Sequence, residues 1–326
     1  MGLHIIIGVI GFGLLYFGAE WLVKGSSSLA HSLGITPMVI GLTVVAFGTS
    51  TPELVVSVIS AVKSKSMIAV GNVVGSNICN IALVLGTAAL FNPIRSHPTV
   101  VHRDIPIMVA VTIYLLILSL DSRLGRLEGF SLVAGVILYT YLNYYWARKA
   151  RAAWNSARAK ALSGEVVEIG YIHSRFKQLL MTFAGIAGVI CGAEFVVDAA
   201  VTVMAALGVS EKFIGLTIVA FGTSLPELAT SVVAAIRKEM DISIGNLVGS
   251  NVFNLLSVLG LAALVRPIPI SGGFFDSGLW VDYLVMTLIS AMPYAMMRRT
   301  FILTRRDGGI LLACYGMYLA YLIVKA

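Results

Sequence analysis

The chain repeats itself. Displaced by 174 residues, G-L-T-V-V-A-F-G-T-S-T-P-E-L (41–54) falls without a gap on G-L-T-I-V-A-F-G-T-S-L-P-E-L (215–228). The same offset lays G-N-V-V-G-S-N-I-C-N (71–80) on G-N-L-V-G-S-N-V-F-N (245–254). It extends back to Gly-Ala-Glu (18–20 on 192–194) and forward to Pro-Ile (93–94 on 267–268). Over positions 41–90, 29 of 50 residues match their partners, too many for shared hydrophobicity alone. Such a repeat constrains architecture before any element is assigned, because whatever one half builds the other builds again.

What each half builds follows from its apolar runs. Of the 326 residues, 58% are hydrophobic and 12% charged, against roughly 45–50% and about 25% in a soluble domain, so the excess needs a bilayer. The runs are long enough for helices that cross about 30 Å of hydrocarbon. Ten are read: 3–23, 37–62, 67–91, 105–120, 128–147, 178–200, 211–236, 243–265, 280–297 and 309–325. The expected fold is an all-α integral membrane protein of ten transmembrane helices. Residues 1–147 form a first five-helix repeat, 148–177 a basic linker and 178–326 a second five-helix repeat. Five spans are an odd number, so the second copy enters the membrane from the opposite side and the repeats are inverted. Secondary transporters use this arrangement to meet at the bilayer midplane and expose a site to each side in turn.

The formal charge of +7 does not point to nucleic acid, since the basic residues lie in loops between spans. With the N-terminus outside, 16 of the 23 Lys and Arg face inward, as the bias of cytoplasmic loops requires. Both termini are therefore expected outside a cell (inner or plasma) membrane, with the 148–177 loop in the cytoplasm. That loop extends a helix beyond the membrane, lies along anionic lipid or is a plain solvated loop. The chain's start, Met-Gly-Leu-His-Ile, lacks the basic n-region of a cleaved signal peptide, and the first span is expected to be retained. Cys79, Cys191 and Cys314 fall in apolar spans without a C-x-x-C pair, which supports neither disulfide nor metal thiolate.

Within the repeated segments Glu53 and Glu227 lie inside apolar runs, where a carboxylate is costly unless it faces the bundle interior. Pro52 and Pro226 lack an amide hydrogen, so the carbonyls of Gly48 and Gly222 lose helical partners and the helix breaks or bends. Such backbone is tolerated at membrane depth only inside protein or along a wet cavity. The break supplies carbonyls, Thr49, Ser50, Thr223 and Ser224 supply hydroxyls, and the glutamates supply charge. Ser76 with Asn80, and Ser250 with Asn254, sit one helical turn apart and can face the same cavity; packing between helices is the alternative for these polar residues. An all-oxygen set suits hard cations such as Ca²⁺, not metals that want His or Cys. The two carboxylates total −2, which one Ca²⁺ or two Na⁺ neutralise, so the ions would compete. More than two Na⁺ per Ca²⁺ would move net charge. Glu20, with Lys24 one turn on, and its repeat equivalent Glu194, with Asp198 one turn on, are read as helix-end or interfacial groups. No cofactor is implied.

At these residues the chain resembles the sodium/calcium exchangers of the cation/Ca²⁺ antiporter superfamily, prokaryotic type, whose two repeats carry G-T-S-x-P-E and G-S-N-x-x-N. The resemblance implies that Glu53 and Glu227 ligate Ca²⁺ and share in Na⁺ sites. It also implies oxygens from Thr49, Ser50, Thr223, Ser224 and the backbones of Ala46 and Ala220, with Ser76 and Ser250 completing Na⁺ sites and Asn80 and Asn254 lining the centre. One departure is Asn254, where potassium-dependent relatives carry Asp; its amide argues against K⁺ coupling. The expected function is alternating-access exchange of Ca²⁺ for Na⁺, electrogenic and K⁺-independent. Ca²⁺/H⁺ exchange is the alternative and a cation channel a lesser one. An intramembrane enzyme would need a nucleophile with a base beside the repeated serines, and none is there. Partners are Ca²⁺, Na⁺ and lipid; oligomeric state is open, a monomer included.

Overall fold

A computed structural model describes the backbone of residues 2–161, 172, 174–208 and 220–325. It is helical apart from four two-residue strands. The helices are α1 (Gly2–Leu33), α2 (Pro37–Thr49), α3 (Thr51–Val62), α4 (Ser66–Phe91), α5 (Val100–Ser119), α6 (Arg126–Ala161), α7 (Arg175–Ala206), α8 (Leu225–Ile236), α9 (Met240–Val265), α10 (Leu279–Met297) and α11 (Arg305–Lys325). Among the described residues seven helices are long and apolar enough to cross a membrane, or eight if the bent pair α2–α3 is one span. The other expected spans differ for visible reasons. Tyr139, Tyr141, Tyr144 and Tyr145 dilute the apolar run of α6. The run expected over 211–236 is described from residue 220 on, where it contains a helical turn, Ala220–Gly222, and the short apolar α8.

Two boundaries shift. α1 continues to Leu33, beyond the expected end at 23, because its continuation is packed in protein: Ser26, Ser27, Ser28 and Ala30 are buried. A hydropathy window recognises lipid-facing segments and misses such an end. α6 runs on through residue 148 to Ala161, so the start of the basic linker is helix. The rest of that linker, 162–171 and 173, lies outside the described residues.

α1 and α7 pack along their lengths through glycines. A Cβ at Gly18 would stand 2.7 Å from the Val189 amide nitrogen, one at Gly192 would stand 2.7 Å from that of Leu15, and one at Gly185 would stand 2.4 Å from that of Leu22. Only glycine permits so close an approach of backbones, which is how membrane helices gain packing energy. Gly11 and Gly185, like Gly18 and Gly192, are 174 residues apart, so the contact repeats the offset seen in the sequence.

α4 and α9 form the interior. Their apolar windows are 72% and 83% buried, against 28% for α1 and for α7, so the polar residues they carry face protein. They are joined reciprocally: Asn77 Nδ2 donates to the Asn251 carbonyl at 3.2 Å and Asn251 Nδ2 to the Asn77 carbonyl at 3.3 Å. Short antiparallel pairings tie the loops. β1 (Ile94–Arg95) pairs with β4 (Ile302–Leu303), Ile94 opposite Leu303, and β2 (Arg123–Leu124) pairs with β3 (Ile268–Pro269), Leu124 opposite Ile268.

Candidate functional site

Both proline-containing segments break as the missing amide hydrogen demands. α2 and α3 meet at Ser50 (φ −81°, ψ 5°) and are bent by 45°. In the second copy Thr223 and Ser224 form the turn between Ala220–Gly222 and α8. Each glutamate consequently stands in the first turn of a helix, Glu53 in α3 and Glu227 in α8. There the free N–H groups and the helix dipole favour negative charge.

Glu53 and Glu227 are fully buried and within coulombic reach of each other. No salt bridge to either is present among the described residues. Ser50 donates to Glu227 Oε1 at 3.4 Å, and Thr49 and Ser250 approach the same carboxylate. Ser76 approaches Glu53 without closing a hydrogen bond, so neither carboxylate oxygen of Glu53 is satisfied, nor is Oε2 of Glu227. An unpaired buried carboxylate costs several kcal/mol, and here two share one interior.

Other buried polar atoms of the two repeated motifs are equally unsatisfied. Ser76 Oγ, Ser224 Oγ, Thr223 Oγ1, Asn254 Oδ1 and both amide atoms of Asn80 are buried without hydrogen-bond partners. Asn80 lies in the π-helical stretch Cys79–Leu85 of α4, and Asn254 opens the equivalent stretch Asn254–Val258 of α9. Such wide turns recur at functional sites. The Asn254 amide nitrogen is held by Asn77 Oδ1 at 3.2 Å, which leaves its oxygen free. On the opposite side the Ala46 carbonyl accepts from Thr49 Oγ1 at 3.4 Å and Ser250 Oγ at 3.5 Å. Ala220 begins the turn before Thr223. Among the described residues no group of three or more His, Cys, Asp or Glu could hold a metal, so the acidic content of the site is its two glutamates.

A supporting layer escaped the reading of the sequence. Asn246 Oδ1 accepts from Thr49 Oγ1 at 3.1 Å, and Asn246 Nδ2 donates to Ser231 Oγ at 3.4 Å. In the other copy Asn72 Nδ2 donates to Ser57 Oγ at 2.9 Å and to the Glu53 carbonyl at 3.3 Å. The signal was present, since Asn72 and Asn246 open the second repeated motif and Ser57 and Ser231 match under the offset. Asn246→Ala is expected to release the Thr49 hydroxyl and lower the melting temperature of the purified protein, since it removes a buried hydrogen bond worth about 1 kcal/mol.

Glu20 and Glu194 stand apart from this cluster. Glu20 on α1 pairs with Arg237 at the end of α8, not with Lys24. Glu194 on α7 is exposed and lines a cavity between α3 and α7.

The model of the family described as sodium/calcium exchanger protein matches residues 3–145 and 177–324, the two halves of the chain. The chain is 35% identical to the putative antiporter CaxA of Alkalimonas amylolytica, over 96% of each sequence. It is 35% identical to the inner membrane protein YrbG of Escherichia coli K12, over 93% of this chain and 91% of that one. With the sodium/calcium exchanger MaX1 of Methanosarcina acetivorans it shares 31% identity over 98% of each. Among solved structures, the sodium-calcium exchanger NCX_Mj soaked with 10 mM Na⁺ superimposes with a TM-score of 0.82 at 31% identity, covering 98% of both chains. The family model matches both halves, the relatives match over nearly their whole length and a solved fold superimposes on nearly all of the chain: this chain is a multi-pass membrane protein that belongs to the sodium/calcium exchanger family, a family of transporters and not of enzymes.

Proposed function

We propose that the protein is a secondary antiporter exchanging Ca²⁺ for Na⁺ by alternating access. The observation that carries this reading is the pair of fully buried carboxylates, Glu53 and Glu227, with no ion-paired cationic side chain among the described residues and with unsatisfied buried oxygens in the same repeated motifs. A bound cation supplies the missing charge. The full-length likeness to proteins named sodium/calcium exchangers supports the choice of ions.

Ca²⁺ takes six to eight oxygens at flexible distances. Glu53 and Glu227 bridge it, with Thr49 and Thr223 beside them. Na⁺ needs fewer ligands and divides the same set. One Na⁺ takes the Ala46 carbonyl, Ser50 and Ser250 with Glu227, the groups that already meet there; another takes the repeat equivalents, the Ala220 carbonyl, Ser224 and Ser76, with Glu53. Asn80 and Asn254 line the centre with neutral carbonyl oxygens. Because both ions draw on the same two carboxylates, occupancy by one expels the other, and that competition is the exchange reaction. The amide at Asn254 keeps the site charge at −2 and supports a cycle without K⁺. More than two Na⁺ per Ca²⁺ makes it electrogenic.

The architecture proposed for this work is ten transmembrane helices in two inverted five-helix repeats, 1–147 and 178–326. The reciprocal Asn77–Asn251 bonds and the equivalent glycine contacts of α1 and α7 support it. The asymmetry of Lys and Arg puts both termini outside the cell membrane and the 148–177 linker in the cytoplasm. One chain carries both carboxylates, so a monomer suffices.

Proteoliposomes loaded with Na⁺ test the reading. An outward Na⁺ gradient is expected to drive ⁴⁵Ca²⁺ uptake without K⁺, faster when the interior is positive because net positive charge leaves. Uptake indifferent to Na⁺ and driven by a pH gradient would replace it with Ca²⁺/H⁺ exchange. Single-channel currents would replace it with a pore.

A further inference from the structure

The two ends of the molecule are not in the same state. At one end, α1 is fastened to the turn between α8 and α9: Glu20 pairs with Arg237, and Ser27 Oγ donates to Glu239 Oε1 at 2.8 Å. Shifted by 174 residues, Glu20 becomes Glu194 on α7, and Arg237 is reached from Lys63. Lys63 occupies the same structural position as Arg237, the residue that follows the last turn of its helix, α3 in one copy and α8 in the other. Yet the second fastening is not made. Among the described residues no ion pair joins Glu194 or Lys63 to anything, and a cavity of about 280 Å³ separates α7 from α3. Glu194, Asp198, Thr51, Pro52, Val56 and Thr223 line it. Two of these residues adjoin the glutamates in sequence: Thr223, four residues before Glu227, and Pro52, the residue before Glu53.

We infer that Glu194 and Lys63 are the second of two alternating latches: they pair when α7 closes on α3 and the cavity collapses, and Glu20 and Arg237 part as they do so. The inference rests on the alternating-access reading above. In a duplicated chain, each closed end is built from the repeat equivalents of the residues that stand open at the other. On this inference the Glu20–Arg237 end is shut, and the other is open where α7, through Glu194 and Asp198, faces the first turns of α3 across the cavity. Exposed ion pairs are weak, and that suits the role, because a latch that is strong on either side would trap the carrier in one state. Asp198 adds a second carboxylate to the open mouth, where the equivalent residue of the closed end is Lys24. The open vestibule is thus the more acidic of the two, which raises the local concentration of cations approaching Thr223 and Glu227.

The experiment is a charge exchange at the open latch, with Lys63→Glu, Glu194→Lys and the double variant reconstituted beside the wild type. Both residues are exposed, so folding should survive, and equilibrium ⁴⁵Ca²⁺ binding in detergent reports that the carboxylate site is intact. Each single variant places like charges across the closing gap. It is expected to slow Na⁺-driven ⁴⁵Ca²⁺ uptake about five-fold while leaving Ca²⁺ binding within two-fold of wild type, the scale of a lost and inverted surface pair. The double variant restores the attraction with its polarity reversed and should return uptake to within about two-fold of wild type. Uptake in the double variant no better than in the slower single, or singles indistinguishable from wild type, overturns the latch. Wild-type uptake tests the antiport reading separately, before the variants are compared.

Discussion

Glutamine at Glu53 or at Glu227 is expected to abolish exchange while leaving a protein that is expressed, extracted and folded. The effect is one of charge and not of shape. Each side chain is fully buried, and both carboxylates keep oxygens without a hydrogen-bond partner, which on the proposed function a cation completes. Glutamine keeps one carbonyl oxygen and the volume of the side chain but lowers the site from −2 to −1, too little to neutralise Ca²⁺. A charge-assisted contact is worth about 1.5–3 kcal/mol, so Ca²⁺ affinity should fall roughly 10- to 100-fold in either variant. Stability without ions should rise, because the substitution removes one of two mutually repelling buried carboxylates. Thermal unfolding with and without Ca²⁺ checks both statements: the variants should melt higher than wild type in the absence of ions and gain less from Ca²⁺. Normal Ca²⁺ affinity in either variant would refute a site built on both carboxylates.

The second large effect is expected at the opposite kind of residue. Gly185→Val should destabilise the protein and stop transport, though it touches no ligand oxygen. A Cβ at Gly185 would lie 2.4 Å from the Leu22 nitrogen, 2.7 Å from its Cα and 2.8 Å from the Gly18 carbonyl. These are backbone atoms of α1, which cannot turn aside as a side chain can. The helices must part, losing the glycine contact on which α1 and α7 are joined, at a cost of about 1–3 kcal/mol for overpacking. Gly13→Ala is the matched control, since a Cβ there meets nothing within 4 Å. A lowered melting temperature and lost uptake in Gly185→Val, with both unchanged in Gly13→Ala, is the expected pattern.

The centre of the site was legible in the sequence because duplication marks it twice. A lone glutamate in an apolar run has many explanations, whereas Glu53 and Glu227 arrive with the same proline before them and the same Thr-Ser pair before that, and the chain breaks at both. Asn80 and Asn254 were legible for the same reason, and the π-helical turns that contain them are a refinement that no spacing rule provides. Asn246 and Asn72 were not recognised, although they repeat as faithfully, because a Gly-Asn pair in a small-residue stretch reads equally well as packing. Only the hydrogen bond from Thr49 shows that Asn246 orients an oxygen of the site. Glu20 was misjudged in its partner: sequence spacing offers Lys24 one turn away, while the folded chain brings Arg237 from 217 residues further on. The extended end of α1 was hidden because its serines are buried by protein, a condition that composition cannot distinguish from exposure to water.

The central claim is that one interior site between Glu53 and Glu227 holds either Ca²⁺ or Na⁺ and never both fully. Equilibrium binding of ⁴⁵Ca²⁺ to the purified protein, titrated with Na⁺ at fixed pH, tests it most directly. The account predicts one Ca²⁺ per chain, complete displacement by Na⁺, and a displacement curve steeper than a single-site isotherm because more than one Na⁺ must enter. Ca²⁺ that stays bound at saturating Na⁺, or that leaves only on acidification, would contradict it.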